Sequence, residues 1–196
     1  MKIIAITGGI GSGKSVVSQV LRRMGYEVYD CDSRAKALMN SSNEIKRDLS
    51  NAFGADVVGG DGKINSARLA QIVFADGSAL MRLNAIVHPR VKTDILRWSG
   101  SFARSKPFVF IETAILEESN LGDIIAEVWH VYAPVEVRVK RVMMRNNATE
   151  SEVKARIASQ NEAAEPSTDF IINDGATPVL PQIMSRLEAD LGCKKI

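Results

Sequence analysis

Lys2-Ile3-Ile4-Ala5-Ile6-Thr7-Gly8-Gly9-Ile10-Gly11-Ser12-Gly13-Lys14-Ser15 opens the chain and decides its fold. Lys2–Thr7 is an apolar run of strand length, and a glycine cluster ends it at once. Beyond the cluster Val16, Val17, Val20, Leu21 and Met24 recur at helical spacing until Gly25, so a helix follows. Gly8, four further residues and then Gly13-Lys14-Ser15 thus lie between a strand and a helix, the setting of a phosphate-binding loop. Glycines let the backbone turn its N–H groups around an anion, and the helix start adds partial positive charge. In such a loop Lys14 reaches the β- and γ-phosphates of a nucleotide, and the Ser15 hydroxyl ligates the magnesium that bridges them. Kinases, GTPases and motor ATPases share this cradle, so the loop alone establishes only a nucleotide site.

Outward from the loop, residues 26–31 read as a second short strand, and Asp32 or Ser33 can cap a helix over 34–39. Strand, loop, helix and strand in that order imply a parallel sheet. Residues 43–100 carry helical patterns, among them Ile45 with Leu49 and Leu69 with Ile72 and Val73. One turn, Gly59-Gly60-Asp61-Gly62, interrupts them, so the stretch reads as a helical insertion. Apolar runs of strand length return at 108–111, 128–133 and Phe170–Ile172. Two basic helices, Val135–Asn146 and 151–160, flank the turn Asn146-Asn147-Ala148-Thr149, and a helix over 181–191 closes the chain. No internal repeat or low-complexity tract divides it.

A chain of 196 residues suits one domain with insertions, and 45% hydrophobic with 24% charged residues is an ordinary globular composition. No segment is apolar for long enough to span a bilayer, and glycine cuts the N-terminal run too short for a secretory signal. A net charge of +2 with interleaved signs gives no global case for nucleic acid or a membrane surface. Cys31 and Cys193 lie far apart without metal-ligand spacing, which argues against disulfides or zinc and suits a reducing cytoplasm.

Two features narrow the class of nucleotide enzyme. A phosphoryl acceptor hydroxyl needs a carboxylate near the carboxyl end of a strand, and Tyr29-Asp30-Cys31-Asp32 supplies one. On an extended strand Asp30 and Asp32 share a face, one facing the acceptor while the other supports it or the metal. Asp32 could equally cap the following helix. Arg138, Arg141 and Arg145 stand at i, i+3 and i+7, a cationic stripe that could close over a transferring phosphoryl group or be a solvated basic face. Thr149-x-x-Glu152 reads as a capping box that starts the returning helix, so the helix pair looks like a lid. Glu152 also stands four residues before Arg156, the spacing of a surface ion pair.

Taken with Leu83-Asn84-Ala85-Ile86-Val87-His88-Pro89, Arg156-Ile157-x-x-Gln160 and Asp169-Phe170-Ile171-Ile172-Asn173-Asp174-Gly175, these motifs make the chain resemble the dephospho-coenzyme A kinases along essentially its whole length. The resemblance implies an α/β, three-layer P-loop NTP hydrolase fold. Its parallel five-stranded sheet is flanked by helices and carries a helical substrate-binding insertion and a helical lid. The implied division of the single domain is a core of residues 1–31, 101–137 and 161–196, an insertion over 32–100 and a lid over 138–160. The implied reaction is ATP-dependent phosphorylation of the ribose 3′-hydroxyl of dephospho-coenzyme A, with Mg2+, to give coenzyme A and ADP.

By the same resemblance Asp32 is the base, and Lys14, Arg141 and Arg145 act on the phosphates. Gly8, Gly9, Gly11, Ser12, Gly13, Lys14, Ser15 and Val16 bind the nucleotide, Asn173 and Gly175 lie near its adenine, and Ser15 ligates the metal. Asp32 and His88 belong to the acceptor side, with Pro89 at a first helical position and His88 either a ligand or a buried polar anchor. A cytoplasmic monomer is expected, an oligomer being left open, with no nucleic-acid or membrane partner.

The chain departs from the family pattern in two places. Glu112-Thr113-Ala114-Ile115-Leu116-Glu117 lacks a usual proline, which leaves roles for Glu112 and Glu117 open, and Val16 stands where threonine is common. The competing readings are a kinase for a nucleoside monophosphate or a sugar acid, and a P-loop regulatory switch. The switch is disfavoured because no Asn-Lys-x-Asp string for guanine occurs, and Asp56-Val57-Val58-Gly59 falls in the helical insertion.

Overall fold

The computed structural model describes residues 1–114, 116, 120–160 and 170–189. Its strands are β1 (Lys2–Thr7), β2 (Val28–Asp30), β3 (Phe108–Glu112), β4 (Glu127–Tyr132) and β5 (Phe170–Ile172). Its helices are α1 (Lys14–Arg23), α2 (Cys31–Ser41), α3 (Asn43–Phe53), α4 (Ser66–Ala75), α5 (Gly77–Gly100), α6 (Val135–Asn146), α7 (Glu150–Ala158) and α8 (Val179–Ala189). They divide into two compact units, Met1–Val28 with Phe108–Leu116 and Ile124–Ile196, and Tyr29–Pro107 with Glu117–Asp123.

The sheet has the strand order β2-β3-β1-β4-β5, and β1, β3, β4 and β5 lie in the first unit. Ile4 of β1 lies opposite Phe110 of β3, Ile6 opposite Trp129 of β4, and Val131 of β4 opposite Ile171 of β5, all in parallel pairing. Because side chains alternate along a strand, Ile4, Ile6, Phe110, Trp129, Val131 and Ile171 share one face. There they pack with Val17 and Leu21 of α1 and Ile183 and Leu187 of α8. Ile3, Ala5, Val109 and Ile111 on the opposite face are buried too. Burial on both faces is why these strands read as continuous apolar runs rather than alternating ones. From the central β1 the chain runs to β2 on one side and later to β4 on the other. The carboxyl end of β1 is therefore a topological switch point, where open α/β sheets bind ligands.

The second unit is helical, with a polar cap at each helix start. Ser42 accepts from Ile45 N–H, Asn65 from Arg68 N–H and Asp76 from Ser78 N–H. Ile45, Leu49 and Leu69 bury themselves with Val57 and Ile64, so the spacings noted in the sequence mark its core. The glycine turn is tight: Gly62 N–H donates to Gly59 O at 2.9 Å, and an antiparallel bridge joins Val58 to Ile64.

Pro89 corrects one expectation, because it lies inside α5 rather than at its first position. The start signal sits farther upstream, at the Asp76 cap, and a proline inside a helix loosens a turn without ending every helix. Arg90 supports that turn by donating to Ile86 O at 3.1 Å while pairing with Asp48 at 2.6 Å.

A buried polar knot ties the start of this unit to α5. Asp94 Oδ2 accepts from Tyr29 Oη at 2.6 Å and from Arg34 Nε and Nη2 at 3.0 and 2.7 Å, and the Tyr29 ring packs on Trp98. Burial by itself pushes the Asp94 carboxyl up, but the hydrogen bonds from Tyr29 and Arg34 outweigh it and hold the group below the usual carboxylate range. Burial first, and the bond to Asp94 second, push the Tyr29 hydroxyl well above its ordinary value.

A folded-state carboxylate pKa below the unfolded value of about 3.9 contributes stability that is present above that value and is lost as pH falls through the folded one. Asp94→Asn is therefore expected to cost about 2 kcal/mol at neutral pH. The difference from the parent should begin to shrink below about pH 4 and close only as pH falls through the lowered folded-state pKa, where Asp94 itself becomes neutral. Urea denaturation of both proteins at the two pH values measures it.

Candidate active site

The residues at the switch point form a loop with little freedom. Gly8 has φ +144°, and a Cβ there would fall onto the Val131 carbonyl oxygen of β4. Gly13 has φ +97° as the residue preceding α1, and a Cβ there would fall onto the Asn173 side-chain amide. Both positions exclude a side chain, by space and by backbone conformation.

The carbonyls of the loop are held from several sides. Lys14 Nζ donates to Gly8 O at 2.6 Å and Gly9 O at 3.2 Å. Asn173, directly after β5 and 8% exposed, donates its N–H to Tyr132 O at 2.8 Å and its Nδ2 to Ser12 O at 2.8 Å. Arg141 of α6 donates through Nη1 to Asn173 O at 2.9 Å and through Nη2 to Asn173 Oδ1 at 3.3 Å. Gly11 O and Ser12 O stand at 3.4 and 3.5 Å from the same Nη1.

While the carbonyls are engaged, several donors are left over. Ser12 N–H donates to Gly9 O at 3.1 Å, but the N–H groups of Gly11 and Gly13 have no partner among the described residues. The Ser12 hydroxyl is buried and likewise unpartnered. A buried hydroxyl left so costs about 1–3 kcal/mol, which a phosphate oxygen accepting its proton would offset. Ser15, exposed in the first turn of α1, keeps its hydroxyl available and so fits a metal ligand, and Val16 beside it is exposed.

The arginine stripe is not one uniform face. Arg138 is only 4% exposed and donates from Nε to Ile10 O at 2.8 Å. Arg141 is partly buried against the loop, whereas Arg145 is exposed and donates to Asn146 Oδ1 at 3.1 Å. The helix pair packs through Val139, Val142 and Val153, joined by Ile10, Met143, Ala148 and Ile157. The capping box forms as expected, Thr149 accepting from Glu152 N–H and Glu152 from Thr149 N–H. Gly175 lies in an exposed turn held by Asp174, which accepts from the Ala176 and Thr177 N–H groups at 2.9 and 2.7 Å.

Asp32 and His88 belong to the second unit. The Asp30 side chain accepts from Ser33 N–H at 3.0 Å and from Ser33 Oγ at 2.7 Å, so Asp30, not Asp32, caps α2. This corrects the expected shared face on an extended strand, since the strand ends at Asp30 and the next residue is already helical. Asp32 stands exposed in the first turn, and its side chain has no hydrogen bond or ion pair among the described residues. His88 is half-buried in the middle of α5.

A sequence model of the dephospho-CoA kinase family matches residues 2–178. A dephospho-CoA kinase of Bacteroides fragilis is 41% identical over 184 residues, covering 92% of this chain and 89% of the relative. The dephospho-CoA kinase of Geobacter sulfurreducens is 37% identical over 182 residues, covering 91% and 92%. The chain belongs to the dephospho-CoA kinase family. A crystal structure of a Thermus thermophilus protein, 34% identical, superposes with a TM-score of 0.78 over 97% of this chain and 96% of that one. The three-layer P-loop fold expected from the sequence is thus the fold found. Membership of a kinase family makes ATP the co-substrate.

Of the motifs behind the resemblance, Asp169 lies outside the described residues, as do Ile115 and Glu117 of the departing segment and Cys193. Two loop contacts escaped the sequence reading. Arg138 counted only as part of a stripe, and Gln160, which accepts from Ile10 N–H at 2.8 Å, only as part of a family motif. The helical phase that places Arg138 beside Val139 and Val142 was the one available sign of its burial.

Among the described residues no helix is long and apolar enough to cross a membrane, and no group of three or more His, Cys, Asp or Glu could hold a metal ion.

Proposed function

We propose that the chain transfers the γ-phosphoryl group of ATP to the ribose 3′-hydroxyl of dephospho-coenzyme A, giving coenzyme A and ADP. The observation that carries this reading is a family match spanning residues 2–178 together with an intact phosphate cradle. Binding falls to Gly8, Gly9, Gly11, Ser12 and Gly13, through backbone N–H groups and the Ser12 hydroxyl. Val16 follows them at the start of α1, and Asn173 and Gly175 border the adenine. Lys14 exchanges its neutral carbonyl partners for phosphate oxygens, whose charge makes the stronger acceptor. Ser15 would hold Mg2+, which supplies positive charge to the β- and γ-phosphates.

In the transfer Asp32 takes the proton of the acceptor hydroxyl as its oxygen bonds to phosphorus. The bond from phosphorus to the bridging oxygen breaks, and that oxygen leaves with the electron pair on ADP. Arg141 and Arg145 neutralise charge on the equatorial oxygens. We assign the acceptor to the insertion over 32–100 with His88 among its contacts, the lid to 138–160 and the core to 1–31, 101–137 and 161–196. The second unit has a hydrophobic core of its own, which supports a separate insertion. We also infer a cytoplasmic monomer, and the interleaved charges support the absence of a nucleic-acid or membrane partner.

The test is an acceptor screen with Mg-ATP, in which dephospho-coenzyme A, adenylate and gluconate are compared by mass spectrometry of the products. Conversion of dephospho-coenzyme A alone is expected. Phosphorylation of adenylate or gluconate with none of dephospho-coenzyme A would overturn the reading.

A further inference from the structure

Ile10, at the crest of the phosphate loop, is gripped at three points by the segment 138–160. Its N–H donates to Gln160 Oε1 at 2.8 Å, and its carbonyl accepts from Arg138 Nε at 2.8 Å. Its side chain joins the apolar cluster of Val139, Val142 and Val153. Gln160 follows α7, and Arg138 belongs to the first turns of α6, so both ends of the helix pair close on the same residue. The fit leaves little slack, since a Cβ on Gly11 would come within 2.8 Å of Arg138 O and 3.0 Å of Val142 Cγ2.

Peptide orientation is what an anion cradle depends on. Ile10 N–H is turned to Gln160 and Ser12 N–H to Gly9 O, while the Gly11 and Gly13 N–H groups keep no partner among the described residues. Were the Ile10 N–H released, the peptide joining Gly9 to Ile10 could rotate about Gly9, since glycine restrains its backbone least. The side chains of Gln160 and Arg138 hold the two peptides of Ile10.

We propose that Gln160 is a positioning residue for the phosphate loop, which acts with Arg138 to hold the Ile10 peptide turned outward and so preorganises the neighbouring N–H groups for phosphate. The proposal rests on the ATP reading of the loop but not on the identity of the acceptor. It makes the end of the helix pair part of the nucleotide site with no direct contact to the nucleotide.

The experiment compares Gln160→Met, of similar length but without the amide acceptor, with Gln160→Asn, which keeps an amide one methylene too short. Amide hydrogen exchange of the nucleotide-free full-length protein is read at Ile10 and, as a control, in α1 and β5. Binding of a non-hydrolysable ATP analogue is measured by calorimetry. Both variants should exchange the Ile10 amide about tenfold faster, with α1 and β5 unchanged, and should bind the analogue up to about tenfold more weakly, the scale of one lost neutral hydrogen bond. KM for the acceptor should stay within about twofold. Unchanged Ile10 exchange would overturn the proposal, as would faster exchange with unaltered analogue affinity. Faster exchange spread equally over α1 and β5 would also overturn it, because Gln160 would then serve only general stability. If Asp32 and acceptor specificity fail their own tests while these results hold, the assigned reaction falls and the loop-positioning role stands.

Discussion

Asp32→Asn is expected to lower turnover by about a hundredfold or more while leaving ATP-analogue affinity nearly unchanged, the effect of removing a general base. The two aspartates of the element are not equivalent. Asp30 is committed to Ser33 through two hydrogen bonds and so fixes where α2 begins. Asp32, two residues on, has no such commitment among the described residues and stands exposed. Capping leaves Asp30 lone pairs to spare, but it fixes the carboxylate's orientation against Ser33, whereas Asp32 has no such bond to break before turning to an acceptor. Asp30→Asn should accordingly act on stability, by about 1 kcal/mol or less, since asparagine also caps well. Steady-state kinetics with saturating ATP, beside thermal unfolding of both variants, separates the roles. If Asp30→Asn lost the turnover and Asp32→Asn kept it, the base would be Asp30.

Where the signal was local, the elements were legible from the sequence. β1, β5 and α6 fall on the residues expected, because apolar runs between turn formers and a clean helical period leave little choice. The second strand was read too long. Asp30 ends it by capping, but a strand terminus and a helix cap compete for the same residue, and spacing alone does not decide between them. Pro89 misled for a related reason: proline favours a first turn, yet the Asp76 cap thirteen residues earlier had already started the helix.

At the site the glycines and Lys14 were readable because their conformational demands are encoded in residue type. The partners that hold the loop were not. Ile10 meets Gln160 across 150 residues and Arg138 across 128, and a hydrogen bond between such distant positions leaves no periodicity behind. The stripe of arginines was visible, but its division into a buried, a loop-bound and an exposed member depends on the surface that α6 meets.

That division sets the second large effect. Arg141→Ala is expected to reduce kcat by about a thousandfold, the lower end of what an arginine on a transferring phosphoryl group contributes. KM for dephospho-coenzyme A should change little, because the interaction lost is one made in the transition state. The Asn173 carbonyl and side chain receive Arg141 Nη1 and Nη2 and hold the guanidinium beside Gly11 and Ser12, which supports the proposed role. Arg141→Lys should restore little, since an ammonium offers no planar fork to Asn173 and phosphate together. Arg145→Ala should produce a smaller loss, because that side chain is exposed and among the described residues donates only to Asn146, so it must first be ordered by substrate. If Arg141→Ala instead raised KM for ATP by the factor that it lowered kcat/KM, with kcat intact, Arg141 would be a support of the loop like Arg138, and the charge on the phosphoryl group would have to be met by Lys14 and Arg145.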